Sequence, residues 1–566
     1  MPYSIHKKII KNFLTSSYPI IYFGLIVIFI SGCSQKKSST DDKIIIGIES
    51  DVQTINPMYA FSYAEGNVID LLFLKPANEV WNDSLGVIEF RPMLAEKWEW
   101  NNDENMLRLY LRKNILWSDG KPITTDDIVF TFEIYSDPKV ESRFFGQFKN
   151  FYSLDNQQID TAKTFRVISP SVIDIYFKKD SNPTMLDINL EILPKHIWSN
   201  YKAEDLPQAQ ANFEPITSGP FRLVNWERQS SITLKIDSSS FLYNPENIKE
   251  IIFKVIPDYK SRLTHLKTGA IDILDNIKSE DIDELKLISN LKLYSLRGRD
   301  YDYIGWNHID PETYQKSKVV PNKFFSQPEI RKSLTCAINR KEIVETYLGK
   351  FGELCKGPVS PMFKNYFDPN LPTEDYNPVK AKEILKANGW EDKDGDGIVE
   401  KGKVVFSFDM YLSTGNPRRN YVATIVKNNL KAVGIEVNIQ NLEMGTFVEK
   451  LMKIDFDAWI AGWTIPIPID LNPYWNSDPE IGFLNFSTYR NTEKDAILDS
   501  LQLRLNEFEK IKLYREFQKI IYDDEPETFL YWFDNIIAYN NRISKINFSV
   551  LGLVKNAWEW STNQEN

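Results

Sequence analysis

The sequence predicts an α/β protein with mixed sheets, and its length predicts more than one hydrophobic core. Short β-branched runs alternate with amphipathic helical patterns over most of the chain, which is typical of layered α/β folds. The 566 residues exceed what a single core usually supports. Hydrophobic residues make up 42% of the chain and charged residues 26%, which is an ordinary globular composition. We therefore expect two large lobes.

The predicted elements can be placed by their periodicity and their caps. Ile44, Ile45, Ile46 and Ile48 predict a buried strand that ends in the turn "TINP". A hairpin follows over residues 98–111, and further strands and helices alternate to the end of the chain. Three helix starts are predicted from cap patterns. They are Thr124 with Asp127, Ser326 with Glu329 around Pro328, and Asn339 with Glu342.

The N-terminus reads as an export signal and not as part of the fold. Lys7, Lys8 and Lys11 precede an apolar run from Tyr18 to Ile30, which is too short to span a bilayer as a helix. The run ends in "ISGC", which resembles the lipobox of bacterial lipoproteins and makes Cys33 the predicted acylation site. We expect residues 1–32 to be a signal peptide and residues 33–43 a lipidated tether. An ordinary secretory signal or a short membrane anchor is the alternative.

Several classes of function are disfavoured by composition and motif. A formal net charge of −11 argues against nucleic acid as a partner, because phosphate binding needs clustered Lys and Arg. No His-Glu-x-x-His motif or Gly-rich phosphate loop occurs, so we expect no catalytic zinc and no cofactor. Carboxylates are plentiful, which leaves a carboxylate-dependent hydrolase as a remote alternative. Cys336 and Cys355 form one disulfide or remain two buried free thiols.

One loop resembles a calcium-binding loop. "DKDGDGIVE" places Asp392, Asp394 and Asp396 at alternate positions before Gly397. The twelfth position of such a loop carries a bidentate Glu, but here it is Lys403. We expect a turn and no metal.

Several blocks of sequence, taken in order, resemble one family. They are "LAEKWEW", "LRLYLRKNILWSDGKPITTDDIVFTFE", "ILPKHIW", "SGPFRLVNW", "FKVIPDYKSRLTHLKTGAIDIL", "PEIRKSLTCAINRKEIVETYLGKFGE", "YNPVKAKEILKANGWEDKDGDGI" and "FDAWIAGW". Together they are similar to the family 5 extracellular solute-binding proteins, the peptide receptors of ABC importers. The blocks are in register over most of the chain after the tether.

The resemblance implies a fold and a domain plan. It implies the two-lobed periplasmic binding protein fold of the large cluster-C type, with lobes that close on ligand like a hinge. Lobe I would comprise residues 44–300, including an inserted subdomain at about 77–216. Lobe II would comprise residues 301–533, and residues 534–566 would return to lobe I. The crossovers are expected near Arg299 and Phe533.

The resemblance also implies a function. A monomeric, lipid-anchored receptor on the periplasmic side of a membrane would capture peptides and pass them to an ABC permease and its ATPase. The ligand would lie extended between the lobes and pair through its backbone with protein strands.

The implied ligand contacts follow from the family blocks. Trp463 and Thr464 end the "AGW" strand, with core packing as the alternative for Trp463. Trp306 and Asn307 close the strand "IGWN", with hinge packing as the alternative. Thr54 and Asn56 of "TINP" would line the opposite wall, although Asn56 could instead cap a turn.

The loop after the "AGW" strand departs from the family pattern. Peptide-binding relatives carry there an aspartate that meets the α-ammonium group of the peptide. The matching position is Pro466, which offers neither a charge nor a backbone donor, and the first acid is Asp470. Either Asp470 replaces the missing acid, or the ligand is a non-peptide solute such as a sugar, a blocked peptide or another small amphiphile.

Overall fold

The computed structural model describes residues 42–503 and 505–563. The predicted signal segment 1–32, Cys33 and most of the tether 33–43 lie outside these ranges. Within the described ranges, none of the helices combines the length and apolar character needed to cross a membrane.

Strands and helices alternate along the described chain. The strands are β1 (Lys43–Ile48), β2 (Ala77–Asn82), β3 (Val87–Pro92), β4 (Ala95–Asn101), β5 (Met106–Leu111), β6 (Phe165–Ser169), β7 (Val172–Tyr176), β8 (Phe221–Glu227), β9 (Ser231–Ile236), β10 (Glu250–Val255), β11 (Ile273–Leu274), β12 (Leu291–Trp306), β13 (Gly352–Leu354), β14 (Glu400–Lys401), β15 (Val404–Val405), β16 (Ser407–Ser413), β17 (Glu436–Leu442), β18 (Ala458–Thr464), β19 (Glu527–Asn540), β20 (Ile543–Ser544) and β21 (Ser561–Thr562). The helices are α1 (Tyr63–Leu72), α2 (Thr125–Ser136), α3 (Thr161–Thr164), α4 (Met185–Ile188), α5 (Lys195–Trp198), α6 (Tyr259–Lys267), α7 (Ile282–Lys286), α8 (Pro311–Tyr314), α9 (Pro328–Ala337), α10 (Arg340–Ile343), α11 (Pro378–Ala387), α12 (Pro417–Lys431), α13 (Met444–Met452), α14 (Asn472–Trp475), α15 (Thr492–Ser500) and α16 (Glu507–Asp524).

One large sheet organises the molecule. Its order is β17-β16-β18-β12-β19-β11-β1-β10-β9-β8, and β13 pairs with β19 beside this path. The β1/β10 and β16/β17 pairs are parallel, whereas the β12/β18 and β12/β19 pairs are antiparallel. The predicted mixed sheet is therefore confirmed. We refer to β11-β1-β10-β9-β8 and the elements packed on them as the first lobe, and to β17-β16-β18 with theirs as the second lobe.

Two long strands, β12 and β19, join the lobes. Leu291–Leu296 of β12 pair with Asn535–Asn540 of β19, and Asp300 to Gly305 pair with Phe533 to Glu527. The pairing shifts register between Leu296 and Asp300, so the regular ladder is interrupted where the chain passes from one lobe to the other. β11 extends the sheet on one side of this ribbon and β18 extends it on the other.

The hydrophobic cores follow the same division. One cluster contains Ile44 of β1 together with Trp558 and Trp560 near the C-terminus. Two further clusters contain only residues from the middle of the chain, apart from Trp81 and Val550 at the edge of one of them. Each lobe thus buries its own apolar side chains, and burial of such side chains is the main stabilising contribution to folding.

The caps test the local predictions directly. Thr124 and Asp127 form the predicted capping box of α2, and the Asn339 side chain accepts from the Glu342 backbone N–H at the start of α10. The predicted capping box of Ser326 with Glu329 is wrong. α9 begins at Pro328, and Gln327 occupies the N-cap without a side-chain hydrogen bond. Proline fixes the first helical position, so the cap is the residue directly before it.

Cys336 and Cys355 are free, and both are fully buried. Burial raises the pKa of the Cys336 thiol to about 12 and that of Cys355 well above its ordinary value. We expect a thiol reagent to label neither residue in a native chain that begins at Ser34, because only exposed thiolates react readily. Both residues should react in concentrated guanidinium chloride. Labelling of either thiol before unfolding would contradict this prediction.

Candidate functional site

Strand ends from the two lobes face a shared space. In the first lobe, the parallel strands β1 and β11 end at Ile48 and Leu274. In the second lobe, β16 and β18 end at Ser413 and Thr464. Ligands of α/β proteins commonly bind where loops leave the carboxyl ends of strands. The structure therefore directs attention to the loops that follow these four strands.

Two neighbouring cavities lie in this space. One, of about 310 Å³, is lined from both lobes, by Asn276 and Glu280 on one side and Asn416 and Arg418 on the other. The second, of about 300 Å³, lies at the end of β1. Asn276 lines both cavities, so the two are adjacent parts of one cleft between the lobes.

The end of β18 is fastened to β12. Thr464 is paired in register with Asp300, and its hydroxyl donates a hydrogen bond to the Asp300 carboxylate. The Ile465 N–H donates to the Arg299 carbonyl over 2.9 Å, and the Arg299 guanidinium donates to the Ile465 carbonyl over 2.7 Å. Burial raises the pKa of Asp300, which Thr464 and Arg299 partly offset. Thr464 is exposed, so its outer face is open to a ligand.

Trp463 belongs to an aromatic cluster at the same place. Its ring lies parallel to that of Tyr303 at 6.3 Å, and it contacts Tyr474 edge-on at 4.9 Å and Phe486 at 5.7 Å. Its side chain is only half-buried. An aromatic ring that is fixed by its neighbours and still partly accessible is suited to ligand contact, because little conformational entropy is lost on binding.

A buried ionic group in the second lobe joins Asp302 of β12 to Arg418 and Arg419 of α12. The Asp302 carboxylate is completely inaccessible to solvent and accepts hydrogen bonds from Arg418 and Arg419, each at 2.9 Å. The Tyr531 hydroxyl donates to it over 2.8 Å. Burial would raise the pKa of Asp302, but the two guanidinium groups hold it below its ordinary value. Both arginines start α12, so this group fixes that helix to β12.

Trp306 and Asn307 lie elsewhere. Both are fully buried, the Trp306 indole N–H donates to Thr528, and the Asn307 amide donates to the Phe456 carbonyl. Because β12 and β18 are antiparallel, Trp306 is paired with Ala458 at the far end of β18 from Thr464. Ala458 and Thr464 are six residues apart in the strand, which separates the two positions by about 20 Å. The structure does not bring Trp306 and Asn307 together with Trp463 and Thr464.

The other predicted contacts serve local turns. Asn56 is buried, its amide donates to Asn212 over 2.6 Å, and its carbonyl oxygen accepts from the Met58 N–H. The Thr54 hydroxyl accepts from the Asn56 N–H over 3.0 Å. Asp470 is exposed, and its carboxylate accepts from the Asn472 N–H at the start of α14.

The proline loop packs against an apolar cavity. Ile467, Pro468 and Ile469 line a cavity of about 450 Å³ together with Trp81 of β2 and Tyr514 of α16. The segment Thr464–Ile469 contains no acidic residue. This loop therefore presents mainly apolar side chains and no charge.

Sequence reasoning missed the polar residues of the first lobe that line the cleft. Asp275 directly follows β11, and Tyr63 opens α1. The signal that could have found Asp275 is an acid placed at the end of the short apolar strand in "IDIL". Glu49 after β1 gives the same signal.

The loop that resembles a calcium site is exposed. Ligand atoms of Asp392, Asp394 and Glu400 lie within 4.8 Å of one another. Glu400, and not Asp396, completes this group. The Asp396 carboxylate accepts from the Ile398 N–H. The Asp392 carboxylate accepts from the Gly395 and Gly397 N–H groups, so these acids already stabilise the turn.

Comparisons with known proteins agree with this arrangement. The model of the bacterial extracellular solute-binding proteins, family 5, matches residues 89–480. The oligopeptide-binding protein AppA of Bacillus subtilis is 29% identical over 537 residues, which cover 91% of this chain and 92% of AppA.

Solved structures give the same result. The structure of B. subtilis AppA in complex with a nonapeptide superposes with a TM-score of 0.70 at 26% identity and covers 92% of this chain and 99% of that one. The fold is also that of NikZ from Campylobacter jejuni, solved with Ni(L-His), at a TM-score of 0.71 and 24% identity over 92% of this chain and 100% of that one. The predicted two-lobed fold is thus confirmed, and the chain belongs to the bacterial extracellular solute-binding proteins of family 5.

Proposed function

We propose that this protein is the substrate-binding receptor of an ABC importer, which captures peptides between its two lobes and delivers them to a membrane permease. The observation that carries the proposal is similarity to an oligopeptide-binding protein over nine-tenths of both chains. The cleft between the strand ends of the two lobes supplies a site of suitable position. The receptor binds its ligand without chemical change.

The hinge of this receptor is the β12/β19 ribbon. We place the crossovers at Asp300 and its partner Phe533, where the register of the ribbon shifts. The lobes then comprise residues 44–300 with 534–566, and residues 301–533. Closure of the lobes removes the ligand from water and strengthens its hydrogen bonds.

The loop after β18 lacks the acidic residue that the family resemblance implies at Pro466. This difference favours a second candidate ligand, a non-peptide solute. Thr464–Ile469 carries no acid, and the loop lines an apolar cavity. NikZ shares the fold and was solved with Ni(L-His), which is not a peptide. The ligand therefore has to be identified directly.

Native mass spectrometry of residues 34–566, purified without denaturation, tests the proposal. A series of bound masses that fragment as mixed short peptides would support a peptide receptor. A single non-peptide mass, or no retention after peptide mixtures are added back, would overturn it in favour of another solute. The bound molecule should be recovered intact after prolonged incubation, whereas a hydrolase would cleave it.

Trp463 provides a test of the site itself. We expect Trp463→Ala to weaken peptide binding about tenfold, because removing a fixed, partly exposed aromatic ring from a binding surface typically costs 1–2 kcal/mol or more. Titration calorimetry with the peptides found by mass spectrometry measures the effect. Trp100 of β4, an exposed tryptophan whose ring contacts Phe177, is the control. If Trp100→Ala weakens binding as much as Trp463→Ala, the site lies elsewhere.

We also propose that the receptor is a monomer, anchored to the cell envelope through acylated Cys33. The "ISGC" sequence and the apolar run before it support this. Cys33→Ala should move the protein from the membrane fraction to the soluble fraction. Retention of this variant on the membrane would point to an uncleaved anchor.

A further inference from the structure

The carboxylate of Asp275 is set apart from the other charged groups of the cleft. It lies at the end of β11, partly buried, in the cavity lined by Glu49, Ser50 and Tyr63. Its one side-chain hydrogen bond comes from the neighbouring Asn276 amide, at 2.9 Å. Within residues 42–503 and 505–563, no basic side chain comes within ion-pair distance of it.

The nearby cations are engaged elsewhere. The Arg262 guanidinium donates to the carbonyls of Ile256 and Pro257 at 2.6 and 2.7 Å and contacts Glu49 at 3.6 Å. Arg299 donates to the Ile465 carbonyl on the opposite lobe.

Arg418, on the far wall of the cleft, is paired with buried Asp302. Arg262, Arg299 and Arg418 are thus bound to internal partners, and the Lys278 ammonium lies over the Tyr259 ring at 4.6 Å. Among the described residues, Asp275 has no ion-pair partner. Burying a charge without a partner costs free energy, and such residues persist where function requires them.

We propose that Asp275 binds an alkylammonium group of the ligand, either the free amino terminus of a peptide or a lysine side chain. Asp275 thereby supplies the negative charge that the segment Thr464–Ile469 lacks. This proposal rests on the proposed function. Tyr63 lines the same cavity as Asp275 and offers a hydroxyl there. A primary ammonium has three donors, which a carboxylate and neighbouring hydroxyls can accept.

The environment of Asp275 supports this assignment. Burial raises its pKa to about 6, with a smaller increase from Glu49 and a decrease from Arg262. The titratable groups that line the same cavity as Asp275 are Glu49, Tyr63, Tyr259 and Arg262. A ligand ammonium needs the ionised carboxylate. Recognition should therefore be strongest near pH 7, fall to about half as the pH reaches 6 and weaken further below it, while a terminal amine itself loses its charge near pH 8.

Three peptides of one length test the assignment by titration calorimetry at pH 7. One has a free amino terminus, the second is N-acetylated, and the third is N-acetylated and contains one lysine. The native protein should bind at least one ammonium-bearing peptide about 10- to 100-fold more tightly than the acetylated one, as expected for a charge-assisted hydrogen bond. Whichever of the two is preferred identifies the source of the ammonium group.

Two variants locate the recognition. Asp275→Asn should abolish the preference and leave the affinity for the acetylated peptide within about twofold, because only the charge is removed. Asp470→Asn, the same substitution at the exposed acid before α14, is the control and should retain the preference. The native preference should also decline at pH 5. The Asn variant should unfold at the same or a higher temperature than the native protein at pH 7.5, since an unpaired buried charge is lost.

The outcomes separate the two proposals. Equal binding of all three peptides by the native protein, or a preference that survives Asp275→Asn, would overturn the role of Asp275 and leave the peptide receptor intact. A preference lost in Asp470→Asn alone would assign the role to Asp470. Binding of none of the three peptides, with a non-peptide mass retained in the native spectrum, would overturn the proposed function itself.

Discussion

Replacing Asp302 by alanine should lower the free energy of unfolding by about 3–5 kcal/mol, the usual cost of removing one partner from a buried ion pair. The carboxylate is fully buried and is bound by Arg418, Arg419 and the Tyr531 hydroxyl. Without it, two guanidinium groups at the start of α12 keep their charge and lose their shared partner. The loss should therefore exceed the value of any one hydrogen bond.

The effect can be measured by urea unfolding followed by tryptophan fluorescence. Glu312→Ala is the control, because its ion pair with Lys316 is exposed and should contribute less than about 1 kcal/mol. The pKa of Asp302 is held below its ordinary value, so its contribution is present above about pH 4 and is lost as the pH falls through the folded pKa. Similar losses in the two variants would show that the ionic group does not stabilise the second lobe.

Replacing Gly298 by alanine should lower the free energy of unfolding by about 3 kcal/mol, the upper end of the usual cost of forcing extra atoms into a packed site. A Cβ at this position would overlap the carbonyl oxygen of Phe533 and lie 2.6 Å from its carbonyl carbon. These are backbone atoms of β19, so no side-chain movement can relieve the overlap. Gly298 stands at the register shift between Leu296 and Asp300, where β12 crosses β19.

Thermal unfolding and ligand-induced compaction, followed by small-angle scattering, measure the consequence. We expect Gly298→Ala to lower the melting temperature and to reduce closure on ligand. Gly66→Ala is the control, since a Cβ there meets no atom within 4 Å and alanine favours a helix. If the two variants behave alike, the crossing tolerates a side chain and the hinge is looser than the structure indicates.

The fold could be predicted from sequence because its signals are local. Ile44–Ile48 and the residues of β18 read as strands, and caps such as Thr124 and Asn339 mark helix starts through contacts within three residues. Ser326 with Glu329 matches the capping pattern, but Pro328 takes the first helical position and moves the cap to Gln327. Only the backbone geometry distinguishes Gln327 as the cap.

The candidate site could be predicted only in part, because it depends on contacts between distant residues. Trp463 and Thr464 could be proposed as contacts because they end a recognisable strand, and this assignment stays a prediction. Trp306 also ends a strand, but β12 and β18 are antiparallel, so Trp306 lies beside the start of β18 and not beside its end at Thr464. Asp275 was missed because its isolation depends on the partners that Arg262 and Arg299 find elsewhere.

The position of β19 has a consequence for how the chain can be synthesised and folded. This strand lies in the middle of the large sheet, yet it consists of residues 527–540 of a 566-residue chain. Until β19 has been synthesised, β11 and β12 each lack one neighbouring strand. Neither the first-lobe part nor the second-lobe part of the large sheet can then be completed. Late, long-range pairing of this kind slows folding. The nascent chain should therefore stay unfolded until translation is nearly finished, and a fragment truncated before Glu527 should be degraded rather than accumulate as one folded lobe.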